Sequence, residues 1–162
     1  IYQTIEKIRQ ISHRISPPSL QHFGIIPPLE ELIQSINDSQ QLKVQFTHSL
    51  TTPRFSSFVE VNLFRIIQES LNNILKHAQA KKTHVSMYEE TMQGAVQLHV
   101  EILHDGIGLS QEDVQRILHQ SKGHGLKGIF TRIQSLRGNI HFIKPSTGGE
   151  IHISVTSTDS RP

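Results

Sequence analysis

The chain has 162 residues, no cysteine and a formal net charge of +2. This length fits one domain, or one domain with a short appendage, and is enough to bury a core. The lack of cysteine excludes disulfides and thiolate metal sites. The small charge and the scattered Lys and Arg residues argue against nucleic acid as a direct partner, and no apolar run is long enough to span a bilayer.

The N-terminal segment carries isoleucines three or four positions apart, which predicts an apolar stripe on a helix over residues 1–15. Ser16-Pro17-Pro18 is expected to stop this helix, because proline lacks the amide donor and restricts the residue before it. The stripe fits equally well a helix packed on the domain and a piece of an intermolecular bundle. Because the chain begins at Ile1 rather than Met, we expect it to be a fragment of a longer protein.

The remaining elements follow from hydrophobic periodicity, caps and turn residues. They are a helix over 29–37 opened by Pro27-Pro28, a strand over 42–48, a long helix over 65–80, strands over 83–89 and 95–103, a short helix over 113–120 with Ser110 as N-cap, a helix over 126–136 followed by Gly138, and strands over 139–144 and 150–156. Strands paired in sequence, with helices between the pairs, predict an α/β (α+β) two-layer sandwich. In it a mixed β-sheet is covered on one face by helices.

The long helix carries a polar ridge opposite its apolar face. Glu69, Asn73 and His77 follow one another at intervals of four residues, so they stack along one side, and Lys76 is adjacent. Carboxylate and amide oxygens suit Mg²⁺, and lysine offers a point charge for phosphate. The alternative interpretation is a plain amphipathic surface helix.

Asp105-Gly106-Ile107-Gly108 follows an apolar strand directly. An aspartate accepts hydrogen bonds only, so at this place it would select a ring edge that donates, such as the adenine amino group. Glycines beside it let a planar ring approach the backbone. Alone, this pattern is also typical of a simple turn.

A second glycine motif, Gly123-His124-Gly125-Leu126-Lys127-Gly128, formally matches the dinucleotide fingerprint GxGxxG. That fingerprint needs a strand immediately before it, whereas the preceding residues here predict helix and loop. We therefore reject a dinucleotide-binding fold. A glycine loop that feeds the N-terminus of a helix remains, and its unpaired amides make a phosphate site.

In this order, the three motifs resemble those of the ATP-binding domain of sensor histidine kinases, within the wider group of gyrase, heat-shock chaperone and mismatch-repair ATPases. QESLNNILKHAQA resembles the N box, DGIG the first glycine box and GHGLKG the second, over roughly residues 40–156. The Gln-Glu before the N box, GHGLKGIFTRI and ISPPSLQHFGIIPPLEELI are similar to the subfamily that partners regulators of the nitrate-response type. The resemblance implies an ATP site between the N-box helix and a lid over residues 109–122.

The resemblance also implies individual roles. Asn73 would coordinate Mg²⁺, and Glu69 would act catalytically by holding or polarising a metal-bound water. Lys76 and His77 would reach the phosphates, while Asp105 would bind the adenine amino group. The glycines and the residues between them complete the implied nucleotide site: Gly106 and Gly108 would give the ring room, and Gly123, His124, Gly125, Leu126 and Gly128 would shape the end of the lid and the phosphate loop.

Two positions depart from the family pattern. His104 stands where a second acidic residue often precedes the first glycine-box aspartate, and Glu150 stands where threonine often follows the last Gly-Gly. If the Glu150 side chain faces the nucleotide, its carboxylate would repel phosphate.

The function implied is the ATP-binding catalytic module of a two-component sensor histidine kinase. It would position Mg·ATP for phosphoryl transfer to a histidine on a dimerisation helix that this chain lacks. Residues 1–26 would be the C-terminal part of the dimerisation helix and linker, and residues 27–162 the ATP-binding domain. No histidine other than His104 is followed by an acidic residue, and Arg14 follows His13. We therefore expect the chain to bind ATP without phosphorylating itself.

The implied partners are a response regulator with a DNA-binding output domain and, in a homodimer, the protein's own dimerisation domain. The domain would be cytoplasmic, with any membrane anchor in regions outside this chain. Two alternatives remain open. One is a serine kinase of the anti-sigma-factor type with the same fold; the other is an interaction module that has lost nucleotide binding, for which His104 and Glu150 are the only support.

Overall fold

A computed structural model describes residues 17–92, 94–120 and 124–157. The predicted helix over residues 1–15 and the end of the C-terminal tail lie outside the described residues. In chain order, the elements are α1 (Pro18–Phe23), α2 (Ile26–Asp38), β1 (Lys43–Ser49), α3 (Ser57–Asn73) continued by a π-helical turn (Ile74–Ala78), β2 (Lys82–Met92), β3 (Ala95–His104), α4 (Gln111–His119), α5 (His124–Ser135), β4 (Asn139–Ile143) and β5 (Gly149–Ser157).

The strands form one sheet in the order β1-β2-β3-β5-β4. Strand β1 runs parallel to β2, and the other neighbouring pairs are antiparallel, so the sheet is mixed. Side chains alternate across it: Met87, Val100 and Ile153 are paired neighbours and are buried, whereas Tyr88 and Glu101 on the opposite face are partly exposed. The helices of the described ranges cover the apolar face of the sheet, which confirms the predicted two-layer sandwich.

Helix α1 was not predicted. The pattern Ser16-Pro17-Pro18 predicts a helix stop, but proline is tolerated in the first turn of a helix, and Pro18 begins one here. Gly24, at φ 81°, ends it. Leu20 is completely buried in the same core as the sheet, so this part of the assumed linker packs on the domain. The functional boundary at residue 26 stays a prediction.

An ion pair with a buried carboxylate joins α1 to α3. Glu60 is 1% exposed, and its carboxylate accepts hydrogen bonds from the Arg54 guanidinium at 2.9 and 3.1 Å and from the Phe55 amide at 3.0 Å. Arg54 also donates to the carbonyl oxygens of Gln21 and His22, each at 3.3 Å. These carbonyls belong to the last turn of α1, where a cation is favourable. Arg54 therefore joins two helices that are far apart in sequence.

The long predicted helix is not α-helical to its end. It begins after Ser56, whose hydroxyl caps the amide of Val59, and remains α-helical through Asn73. The next five residues form a π-helical turn, and Gln79, at φ 53°, ends the helix in the left-handed region. A π turn takes one more residue than an α turn, so the side chains after Asn73 are rotated relative to the predicted ridge.

The predicted N-cap of α4 is present, whereas α5 ends differently from the prediction. Ser110 and Asp113 form the reciprocal capping box that opens α4. At the end of α5, Arg137 rather than Gly138 adopts the left-handed conformation, at φ 50°, and the Gly138 amide bonds the Ile133 carbonyl at 3.0 Å. A Cβ on Gly138 would lie 2.7 Å from the Ser154 carbonyl oxygen, so close approach to β5 explains this glycine.

No helix within the described ranges is both long enough and apolar enough to cross a membrane.

Candidate functional site

The polar ridge of α3 faces the start of α5. Helix α5 begins at His124, two residues earlier than predicted, so Gly125 lies in its first turn rather than in a loop. A Cβ on Gly125 would overlap the Glu69 carboxylate and would lie 3.3 Å from the Asn73 side-chain oxygen. The structure therefore brings Glu69, Asn73 and the second glycine motif together. The amides at the start of α5, which lack helical partners, adjoin two oxygen-bearing side chains.

Lys76 and His77 lie on the π turn, and both are exposed. Ile74 and Ala78, on either side of them, are buried in the core. The π turn thus presents a lysine and a histidine to solvent just beyond Asn73, at the end of the ridge.

Asp105 is held at the end of β3 by the backbone that follows the π turn. Its Oδ1 atom accepts hydrogen bonds from the amides of Lys82 at 2.9 Å and Lys81 at 2.8 Å. These bonds lower the pKa of the Asp105 carboxyl group, which keeps it ionised and acceptor-only at neutral pH. Within the described part of the chain, no other residue donates a hydrogen bond to Oδ2. That atom is left to accept from a ligand such as the adenine amino group.

The first glycine motif is packed tightly between two other segments. A Cβ on Gly106 would overlap the Ala78 carbonyl oxygen and lie 2.7 Å from the Ala80 amide nitrogen. A Cβ on Gly108 would overlap the Gly148 carbonyl oxygen. Close packing of the chain on itself therefore requires these glycines. The implied role of giving an adenine ring room stays a prediction.

The other residues of the second glycine motif differ in their surroundings. Leu126 is 8% exposed and belongs to the hydrophobic core, whereas His124 is exposed. Among the described side chains, a Cβ on Gly128 would meet the Arg132 guanidinium, at 3.1 Å. Gly123 lies outside the described residues. Of the two described glycines of this motif, Gly125 is the one that adjoins the polar ridge.

Most of the predicted lid is an anchored helix. Within residues 109–120, α4 buries Val114 completely, and the side-chain oxygen of Gln111 accepts from the Phe142 amide at 3.2 Å. Asp113 lies 3.7 Å from the Lys144 ammonium group. These contacts hold α4 against β4, and the last lid residues, 121–122, lie outside the described residues.

Glu150 faces away from the helices. Its carboxylate lies 2.9 Å from a ring nitrogen of His152, on the exposed face of the sheet, while Ile151 and Ile153 point to the helix layer. The condition under which Glu150 would repel phosphate is therefore not met, and one of the two supports for a module without nucleotide is removed.

Glu150→Thr is accordingly expected to leave the dissociation constant for ATP unchanged. The substitution removes a charge from the sheet face opposite the site, and such surface changes alter stability by less than about 0.5 kcal/mol. Calorimetric titration of parent and variant with Mg·ATP measures this directly. Tighter binding by the variant would mean that the glutamate faces the phosphates after all.

His104 fills the space beside the glycines. Its ring accepts a hydrogen bond from the Gly106 amide at 3.3 Å, and a Cβ on Gly149 would lie 2.5 Å from the ring nitrogen Nε2. Burial lowers the pKa of the His104 imidazole below 6.5, and the neighbouring Asp105 carboxylate partly offsets this effect. The structure thus uses this departure from the family pattern as a neutral packing element.

This lowered pKa has a consequence for acid stability. Below about pH 6.5 the unfolded chain binds a proton at His104 that the folded chain does not, because the folded-state pKa is lower. The stability that the folded chain has with a neutral His104 is therefore complete above that pH and is lost as the pH falls. We expect His104→Gln to lose less unfolding free energy than the parent between about pH 7 and pH 5. Urea unfolding at each pH tests this, and identical pH profiles would contradict it.

The donor set fits Mg²⁺ bound through a nucleotide. Among residues 17–92, 94–120 and 124–157, no cluster of three or more His, Asp or Glu side chains could hold a metal by itself. Mg²⁺ often takes only one or two protein oxygens and completes its shell with water and substrate phosphates. The side-chain oxygen of Asn73 offers one such ligand, and the Glu69 carboxylate, also next to Gly125, is placed to hold a water at the metal.

Comparison with known proteins agrees with this geometry. Residues 58–159 match the family model of the histidine kinase-, DNA gyrase B- and HSP90-like ATPases. The chain is 29% identical over 159 residues to the signal transduction histidine-protein kinase/phosphatase DegS of Brevibacillus brevis, covering 98% of this chain and 39% of that protein. It is 34% identical over 148 residues to the sensor histidine kinase ComP of Bacillus subtilis, covering 89% of this chain and 18% of ComP.

The fold has solved counterparts. The histidine kinase domain of the Erythrobacter litoralis EL346 blue-light activated histidine kinase superposes with a TM-score of 0.62 at 19% identity, over 96% of this chain and 71% of that one. The fold and site define an ATP-binding domain of the two-layer type. The chain belongs to the histidine kinase-, DNA gyrase B- and HSP90-like ATPase family, as the motifs indicated, and membership implies that it binds ATP. The chain spans 39% of the length of DegS and 18% of the length of ComP.

Proposed function

We propose that the chain is the catalytic, ATP-binding module of a two-component sensor histidine kinase. It would position Mg·ATP so that the γ-phosphoryl group meets a histidine on a dimerisation helix. The observation that carries this proposal is the contact of Gly125 with Glu69 and Asn73, which joins the second glycine motif to the polar ridge. Both curated relatives are named as histidine kinases, which supports the kinase activity.

The chain's residues would divide the nucleotide between them. Asp105 would accept from the adenine amino group through Oδ2, and Lys76 and His77 on the π turn would contact the phosphates. Asn73 would hold Mg²⁺, which when bound neutralises phosphate charge. Glu69 would orient a water at the metal, and the first-turn amides of α5 would receive phosphate oxygens. Catalysis of this kind is mostly positioning and charge stabilisation.

The partners follow from the same proposal. A histidine kinase passes its phosphoryl group to a response regulator, here one with a DNA-binding output domain of the nitrate-response type, and acts as a homodimer through its dimerisation domain. The module would work on the cytoplasmic side. The names of the relatives do not specify the type of regulator, so this subfamily stays a prediction from the sequence motifs.

Glu69→Gln in the full-length protein tests the kinase proposal. The amide keeps the size of the side chain but removes its charge, so ATP binding should persist while incorporation of label from γ-labelled ATP into histidine falls. Acid lability of the label identifies phosphohistidine. Full labelling in the variant, or no Mg-dependent labelling in the parent, would contradict the proposal.

The chain by itself is expected to bind Mg·ATP and to remain unlabelled. The acceptor histidine of such kinases is followed by an acidic residue that helps to withdraw its proton, and only His104 meets this condition here. Its neighbour Asp105 is already bonded to backbone amides. Incubation with γ-labelled ATP tests this. Acid-labile label that disappears in His13→Gln would show that the acceptor lies in the N-terminal segment.

A further inference from the structure

Four hydrogen bonds join the end of the π turn and the residues up to the start of β2 to the first glycine motif. The Ile107 amide donates to the Ala78 carbonyl at 2.7 Å, and the Asp105 amide donates to the Lys82 carbonyl at 3.2 Å. The Asp105 carboxylate receives the other two, from the amides of Lys81 at 2.8 Å and Lys82 at 2.9 Å. We call this contact between residues 78–82 and 105–107 the clasp.

The clasp fixes the end of the π turn. Ala78, whose carbonyl it uses, is the last residue of that turn, and Gln79 follows in the strained left-handed conformation. Gly106 packs so closely that any Cβ there would overlap the same carbonyl oxygen. A π turn with a left-handed end is a costly local structure, which persists only where its surroundings determine it. Here those surroundings are the glycine motif.

We propose that the clasp positions Lys76 and His77 for contact with the phosphates of the nucleotide. It does so by tying the π turn that carries them to the segment that would bind adenine. Asp105 then has two tasks on two oxygens. Oδ1 holds the backbone beyond the π turn, while Oδ2 faces the base. The proposal rests on the proposed nucleotide site and deepens it, because it assigns to Asp105 and to the backbone amide of Ile107 a role in phosphate binding that direct contact does not give them.

The measured quantity is the ratio of the dissociation constant for AMP to that for ATP, which isolates the contribution of the two outer phosphates. Lys76→Met sets the reference, because loss of a charged phosphate contact should lower this ratio by about tenfold or more. Ile107→Pro removes the amide that bonds Ala78, and we expect it to lower the ratio by a similar factor. Its matched control is Ile107→Ala, which keeps the amide and shortens an exposed side chain. The control should leave the ratio unchanged.

A second pair of variants separates the two tasks of Asp105. In Asp105→Asn the amide oxygen can still accept from Lys81 and Lys82, which turns its NH₂ group toward the adenine donor. Affinity for AMP and ATP should therefore fall together, with the ratio unchanged. Asp105→Ala removes both tasks, so the ratio should fall as well. This pair still tests the clasp if Ile107→Pro does not fold, and thermal unfolding of each variant identifies that case.

The results distinguish failure of the clasp's positioning role from failure of the proposed nucleotide site. If Lys76→Met lowers the ratio but Ile107→Pro and Asp105→Ala do not, the clasp does not position the phosphate side, and the proposed nucleotide site stands without it. If Lys76→Met leaves the ratio unchanged, Lys76 does not reach the phosphates, and both the site assignment and the clasp's role are overturned.

Discussion

Arg54→Met is expected to lower the free energy of unfolding by about 3 kcal/mol. Methionine is unbranched and close to arginine in length, but it leaves the Glu60 carboxylate, which is 1% exposed, with the Phe55 amide as its one remaining donor among the described residues. It also removes the cation from the last carbonyls of α1. The expected value is at the lower end of the range for buried pairs because the Arg54 side chain is 40% exposed and water can reach it.

Two further variants make this expectation specific. Arg116→Met breaks a surface ion pair with Asp113, in which the arginine is 68% exposed, so it should cost less than about 1 kcal/mol. The double variant Arg54→Met/Glu60→Leu removes both charges together and should recover much of the loss, because the cost comes from a buried charge without its partner. Urea unfolding of the four proteins measures all three differences. A loss in Arg54→Met no larger than in Arg116→Met would mean that the pair does not hold α1.

The sequence already contained a signal for this ion pair. Glu60 precedes Leu63 and Phe64 by three and four residues, so it falls on the apolar face of α3. A carboxylate on a buried helix face needs a partner, which predicts some cation nearby. Which cation cannot be read from the pattern, since Arg54 reaches Glu60 across a loop and contacts α1 as well.

Local periodicity predicted most of the fold but neither helix α1 nor the π turn. The alternation of buried and exposed residues predicted all the strands of the sheet, because burial on one face imposes a period of two. Helix α1 was missed because a proline pair is read as a stop, although proline also suits the first turn of a helix. The π turn has no signal at helical spacing. The carbonyl oxygen of its last residue, Ala78, accepts a hydrogen bond from Ile107, which is 29 residues further along the chain. A non-local contact therefore accompanies the π turn.

In the candidate site too, features that follow from local spacing were predicted, and features that depend on distant segments were not. Spacing by four placed Glu69 and Asn73 on one ridge, and the structure keeps them together because this part of the helix is α-helical. His77, also four residues on, lies beyond the change to the π turn, so its direction could not be predicted. The glycines were recognised as a motif, but the backbone atoms against which Gly106 and Gly108 pack belong to distant segments.

Asn73→Ala is expected to remove Mg-dependent nucleotide binding while leaving the domain folded. Asn73 is partly exposed on the polar side of α3 and its side-chain oxygen adjoins Gly125, so truncation creates no core cavity. Alanine also has the higher helix propensity. If Asn73 is the protein ligand of Mg²⁺, affinity for Mg·ATP should fall by more than about 100-fold, since even residues behind a metal ligand cost about 10- to 100-fold when replaced.

The matched control is Asn72→Ala, which makes the same chemical change one position earlier on the same helix and points in a different direction. It should bind Mg·ATP as the parent does. Titrations with ATP in the presence of a chelator provide the second comparison: without Mg²⁺, the parent and Asn73→Ala should bind equally weakly, because the lost oxygen acts through the metal. Equal losses with and without Mg²⁺ would show that Asn73 contacts the nucleotide directly, and no loss in either condition would remove it from the site.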